Sequence, residues 1–219
     1  MKKKKKKVKH IALVGNIGAG KTTWTQILAN FFGWFAMFEA VEGATKAYLK
    51  LFYGDMKRYS FNLQIKFLNV RFNQILRMRK SKKPVIQDRT IYEDPFVFAL
   101  NLYKKRKMTK LDFDNYMSLF DLMKKSHKIN HPDLVIFLRG DVPILKKQIK
   151  LRGRKEEQGI KSSYLRQLNK FYEDLIAYFK EQGVEVIEFD VADINHGGNN
   201  RRQYVLDTIG KKIQEMENS

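Results

Sequence analysis

One octapeptide constrains this chain more than any other feature: Gly15-Asn16-Ile17-Gly18-Ala19-Gly20-Lys21-Thr22, set between an apolar run and an amphipathic one. It fits the pattern G-x-x-x-x-G-K-[ST]. Glycines let backbone N–H groups turn inward and come close to anionic oxygens, and a helix starting at Lys21 aims its positive dipole end at the same place. A lysine ammonium there reaches the outer phosphates of a nucleoside triphosphate. A threonine hydroxyl at the next position is a magnesium ligand. Thr23 is grouped with this loop. The bland alternative is a simple glycine turn, but a chance match is expected in only about one such chain in a hundred at ordinary residue frequencies.

A loop of this kind needs a buried strand before it and a helix after it. Val8–Val14 predicts the strand, and Lys21–Phe32 the helix, with Trp24, Ile27, Leu28 and Phe31 on one face. The alternation continues. Strands are expected at Trp34–Phe38, Pro84–Gln87, Asp133–Leu138 and Val184–Phe189. Helices are expected at Tyr59–Arg79, Thr109–His127, Pro143–Leu151, Ser162–Glu181 and Arg201–Met216. Thr109 and Asp112 form an N-terminal capping signal, and Gly183 a C-cap. Asn195–Asn200 is expected to be a loop. Such alternation implies an α/β fold, a five-stranded parallel sheet covered by helices on both faces.

The 219 residues suffice for one domain with a full core. Residues 10–219 are expected to form it. Residues 1–9, with lysines at 2–7 and 9, are expected to be a disordered basic tail. With no cysteine, disulfides and thiolate metal sites are excluded. No apolar run approaches the roughly 18 residues needed to cross a bilayer, so a cytoplasmic protein without membrane attachment is expected. The net charge of +20 suits polyanionic substrates and also nucleic acid.

Ligands of open parallel sheets bind beyond the carboxyl ends of the strands. Three polar groups are expected there: Glu39, then Asp88-Arg89-Thr90, then the basic segment Arg152-Gly153-Arg154-Lys155-Glu156-Glu157. A carboxylate can accept a proton from an attacking hydroxyl, a second can hold magnesium, and arginines can neutralise a transferring phosphoryl group. Each also has a plain alternative as a surface acid, a local ion pair or a solvated turn. His127 and His131 are separated by a helix end and Pro132 and are not read as a metal pair. Phe31, Phe32, Trp34 and Phe35 are read as core.

The stretches Ile11–Thr22, Tyr59–Leu68, Val85–Phe98 and Leu151–Ile160 together resemble the deoxynucleoside kinase family, most closely its bacterial members, over Ile11–Ile194. The resemblance implies a three-layer P-loop kinase fold with a short arginine-rich lid. It implies Glu39 as general base, Arg89 as the residue holding that base, Lys21 on the phosphates, and Arg152 and Arg154 as lid arginines. Asp88, with Thr22, would place Mg2+. Tyr53 and Glu157 would bind the sugar 3′-hydroxyl, Gln64 the base edge, and Phe98 would stack on the base; Phe52 is expected among the substrate-binding residues. Phe67 would line the base pocket. Arg71 and Asp94 match a pair in members that take purines or cytosine, and a carboxylate beside a guanidinium suits an amino-substituted base edge. Asp190 and Ala192 fall in a segment resembling the loop at the donor adenine. Two departures stand out. The spacing from Glu39 to Tyr53 is about two residues longer than usual, which makes Glu42 a second candidate for the base, and Phe67 is bulky for its position.

The expectation is therefore an ATP- and Mg2+-dependent kinase acting on the 5′-hydroxyl of a deoxynucleoside, deoxyadenosine first, in nucleotide salvage. The resemblance implies a homodimer; the apolar residues of Thr109–His127 are read either as its helix-pair surface or as core. A nucleoside monophosphate kinase is the first alternative, and a nucleic-acid-binding ATPase a distant second.

Overall fold

The computed structural model describes residues 7–39, 43–196 and 198–218. Five strands form one parallel sheet: β1 His10–Gly15, β2 Phe35–Met37, β3 Val85–Asp88, β4 Leu134–Arg139 and β5 Glu185–Asp190. Their spatial order is β2-β3-β1-β4-β5. β1 is central, in register Leu13↔Asp88 on one side and Leu13↔Ile136 on the other.

The period-two alternation of the central strands divides the core. Ile11, Leu13, Ile136 and Leu138 face one side. They meet Trp24 and Leu28 of α1 (Lys21–Phe32), Leu145 and Ile149 of α6 (Val142–Arg152), Val191 and Ile194 of α8 (Val191–His196), and Val205, Ile209 and Ile213 of α9 (Gly198–Asn218). Ala12, Val14, Val135 and Phe137 face the other side. That layer holds α2 (Ala44–Gly54), α3 (Met56–Lys80), α4 (Leu100–Lys104), α5 (Lys110–Ser126) and α7 (Ser162–Glu181). Each large apolar side chain so buried contributes roughly 1.5–3 kcal/mol.

Helix ends follow their local chemistry. Thr109 caps α5 by accepting from the Asp112 N–H at 3.0 Å, as its sequence predicts. Asp55 does the same for α3, through Arg58 N. This cap starts α3 three residues before the expected Tyr59. Gly183 follows α7 with φ 73°.

Several expectations need correction. β1 begins at His10, not Val8, yet Val8 is buried and its N–H donates to Glu217. Val8 therefore packs with the domain and not with the basic tail. Residues 1–6, which hold most of the lysine run, lie outside the described residues. The edge strand β2 is only Phe35–Met37. Residues 44–54 form α2, and Asp94–Ala99 forms a π-helical turn that runs into α4; neither element was expected. Short helices interrupted by Gly43, Gly54 and Pro95 carry too little periodicity to announce themselves. The expected loop at Asn195–Asn200 is instead the end of α8 and the start of α9.

Candidate active site

The carboxyl ends of β1, β2 and β3 open into a cavity of about 510 Å³, roofed by α2, α3 and the segment after α6. Its floor is the glycine loop. Gly18 has φ +84°, and a Cβ there would lie 2.7 Å from the Leu145 carbonyl oxygen, so only glycine fits. Asn16 turns away from the cavity and ties the loop to α7, donating to Leu165 O and Asn169 Oδ1 and accepting from Ile17 N–H. Lys21 Nζ donates to the carbonyls of Gly15 (2.7 Å) and Asn16 (2.9 Å). Burial, helped by the nearby Arg89, pushes its ammonium down to about 8 despite the pull of Asp88, Glu93 and Glu39. Thr22 Oγ1 donates to Asp88 Oδ2 at 2.5 Å, while the buried Asp88 Oδ1 has no protein partner.

Beyond this floor lies a cluster of buried charges. Glu39, two residues past β2, meets Arg71 Nη2 at 2.5 Å and Arg89 Nε at 3.1 Å. Burial alone would raise its carboxyl. Arg89, Arg71 and Lys21 outweigh burial and hold it down at about 2. Arg89 stands in the left-handed region at φ 70°. Its Nη1 donates to Tyr172 OH (3.0 Å), which in turn donates to Glu93 Oε1 (3.0 Å), and the Phe98 ring lies 4.5 Å from the guanidinium. Glu93 Oε2 accepts from Thr90 N–H at 2.6 Å. Asp94 sits 3.6 Å from Arg71 Nε without a hydrogen bond. Burial lifts its carboxyl to about 7, only partly countered by Arg71 and Arg89.

The far wall carries the basic segment. Arg152 and Arg154 both pair with Glu157, Arg154 at 3.3 Å. Tyr53, Gln64, Phe67 and Phe98 line the cavity with Phe52. Gln64 Oε1 is buried and has no protein partner.

Most of the residues singled out in the sequence thus meet in one place: Ile17, Gly18, Gly20, Lys21, Thr22, Thr23, Glu39, Phe52, Tyr53, Gln64, Phe67, Asp88, Arg89, Asp94, Phe98, Arg152, Arg154 and Glu157 line the cavity. Arg71 lies beneath it, fully buried, and reaches it through Glu39. Gly15, Asn16 and Ala19 shape the loop from behind. Asp190 and Ala192 do not line the cavity. Asp190 ends β5 and accepts from Ala192 N–H in the first turn of α8, so this segment is a strand end and a helix, not a loop. Glu42 lies outside the described residues. Sequence reasoning missed Glu93 and Tyr172, which grip Arg89, and Tyr164 and Leu63 in the lining. Leu63 could have been found from its helical spacing with Phe67 and Arg71.

A family model for deoxynucleoside kinase matches residues 11–214. The chain belongs to the deoxynucleoside kinase family. This kinase is 34% identical over 207 residues to a deoxyadenosine/deoxycytidine kinase of Bacillus subtilis, with 94% of each chain covered. It is 35% identical to a deoxyadenosine kinase of Lactobacillus acidophilus, over 95% of this chain and 98% of that one. Among solved structures it is similar to the deoxyadenosine kinase from M. mycoides with bound dATP. There the TM-score is 0.78 at 27% identity, covering 92% of this chain and 99% of that one. This deoxynucleoside kinase is accordingly a phosphotransferase with a P-loop kinase fold. Among the described residues no helix is long and apolar enough to cross a membrane.

Proposed function

We propose that this kinase transfers the γ-phosphoryl group of ATP to the 5′-hydroxyl of a deoxynucleoside, with deoxyadenosine preferred. The observation that carries the reading is the position of Glu39. Its carboxylate, held ionised by two arginines, shares one cavity with the phosphate loop. Arg89 and Arg71 fix the carboxylate against the incoming hydroxyl. Held this low, Glu39 acts first by orienting the O–H as an acceptor. It takes the proton as the new oxygen–phosphorus bond forms and the bond to the β-phosphate oxygen breaks. Lys21 and the loop amides hold the donor phosphates. Arg152 and Arg154 would leave Glu157 for the transferring group, whose charge they neutralise.

The donor set fits Mg2+. Thr22 and Asp88 offer hard oxygens, Asp88 Oδ1 is unpartnered, and no cluster of three or more His, Cys, Asp or Glu among the described residues could make an all-protein metal site. When bound, Mg2+ would neutralise the β- and γ-phosphate charge. Deoxyadenosine leads because two similar enzymes act on it by name. In addition, Gln64 and Asp94, which line the cavity, offer both donors and acceptors to an amino-substituted base, with Arg71 behind Asp94. We further read the enzyme as a cytoplasmic homodimer pairing through α5, where Leu111 and Leu122 are exposed.

The test is a panel of deoxynucleosides, ribonucleosides and nucleoside monophosphates with labelled ATP and Mg2+. Monophosphate product from deoxyadenosine above all others supports the reading. Phosphorylation of dAMP but of no nucleoside overturns it.

A further inference from the structure

β2 is an edge strand of three residues, and its ladder with β3 ends at Met37↔Gln87. Phe38 and Glu39 therefore lie past the last rung, where the sheet no longer fixes the backbone. The carboxylate that must be placed most accurately stands on the least supported end of the sheet. Something outside the ladder has to hold it.

Gln74 does so. It lies on α3 one turn beyond Arg71, is 4% exposed and does not line the cavity. Its Nε2 donates to the Phe38 carbonyl at 2.6 Å. Its Oε1 accepts from Arg71 Nη1 at 3.4 Å and from Gln87 Nε2 at 3.3 Å. The amide orientation is determined by Arg71 and Phe38: reversed, its NH2 would face a guanidinium N–H and its oxygen a carbonyl. Gln87 is anchored in turn by His10 Nε2 at 2.9 Å. One side chain thus grips both the peptide group before Glu39 and the guanidinium that pairs with the Glu39 carboxylate. Around Arg71 the facing groups are Glu39 after β2, Asp94 and Arg89 after β3, Tyr116 on α5, and His10 on β1 through Gln87.

We infer that Gln74 is a positioning residue for the phosphoryl-transfer reaction, setting Glu39 from two sides through the Phe38 carbonyl and the Arg71 guanidinium. The inference rests on the proposed role of Glu39. It assigns no contact with substrate to Gln74. It does require an amide, with one donor and one acceptor, and not merely a side chain of that size.

Two variants test it by steady-state kinetics on the whole chain. Gln74→Met keeps the volume and removes both polar contacts. The expected result is a fall in kcat of about tenfold to a hundredfold, as for a slight misplacement of a catalytic group, with the KM for ATP within about twofold of wild type. Gln74→Glu keeps the acceptor for Arg71. Ionised beside Arg71, it offers no donor to the Phe38 carbonyl, so its kcat is also expected to fall about tenfold or more, with the KM for ATP within about twofold of wild type. A Gln74→Met kcat within about twofold of wild type overturns the inference. So does a rise in the KM for ATP as large as the fall in kcat. If Gln74→Met does not fold, Gln74→Glu decides alone, and a kcat within about twofold of wild type overturns the inference. Wild-type protein inactive on every deoxynucleoside would instead remove the proposed function itself, a result distinct from all of these.

Discussion

Glu39 and Asp94 lie on the two sides of Arg71, and the same surroundings move them in opposite directions. Glu39 is drawn down from its ordinary 4.5 to about 2 because three cations outweigh its burial. Asp94 is lifted from 3.8 to about 7 because burial outweighs a guanidinium that does not hydrogen-bond it. Two predictions follow from this contrast. Replacing Glu39 by Gln keeps the shape and removes the proton acceptor. We expect kcat to fall about 10²–10⁴-fold with deoxynucleoside affinity retained, read by single-turnover rates beside calorimetric binding. Near-normal turnover would transfer the role to another acid, Glu42 first. For Asp94 the sign runs the other way from a salt-bridged acid. Between its ordinary and folded values the native state binds more protons than the unfolded chain, so its contribution to stability declines as pH rises through that window. The melting temperature of Asp94→Asn relative to wild type is therefore expected to increase from about pH 4 to about pH 7. A difference that fails to increase over that range would show Asp94 ionised throughout.

At the scale of elements, α3 carries part of the cavity wall that we assign to the acceptor. Leu63, Gln64, Phe67, Arg71 and Gln74 recur at spacings that put them on one helical face, turned to the cavity and the strand ends beneath it. Phe67 lines the cavity on that face, where we propose that the base sits. Phe67→Ala is expected to raise kcat/KM for deoxyadenosine over deoxycytidine by about tenfold, measured by competition between the two nucleosides; an unchanged ratio would take Phe67 out of selectivity. This face also shows what the sequence made legible. The layers were legible in the alternation of apolar strands and helices, and the floor of the cavity in the glycine loop, because both are local patterns. The cavity lining came largely from the family motifs. What stayed hidden was non-local. Glu93 and Tyr172 are 79 positions apart and meet only after α7 packs on the turn following β3. The π-helical turn at Asp94 arises from packing against α3, α5 and α7, and no period in the sequence announces it. The Asp190 segment, which resembles a family loop, is a strand end and a six-residue helix too short for its periodicity to announce it.

The whole molecule carries a net charge of +20, yet its proposed acceptor is neutral and its donor a polyanion. Long-range attraction therefore acts on one substrate only. Raising ionic strength from about 0.05 to about 0.5 M shortens the screening length to a few ångströms. The KM for ATP is expected to rise roughly three- to tenfold over that range, while the KM for the nucleoside changes little. Equal changes in both would show that salt acts on the fold and not on encounter.

The strand order has a consequence for how such a chain is made. β1 belongs in the middle of the sheet, but its two neighbours are β3 and β4, which begin at Val85 and Leu134. During synthesis at roughly 5–20 residues per second, Ile11-Ala12-Leu13-Val14 leaves the ribosome many seconds before either neighbour exists. In that interval its two edges and its apolar faces are unpaired, a state that favours contact with other chains. Lys7, Lys9 and His10 stand directly before this run, and the glycine loop follows it at once. Charges and glycines flanking an apolar strand discourage such contact. The basic residues before this strand and the glycine loop after it thus help to keep the nascent chain solvated until the rest of the sheet arrives.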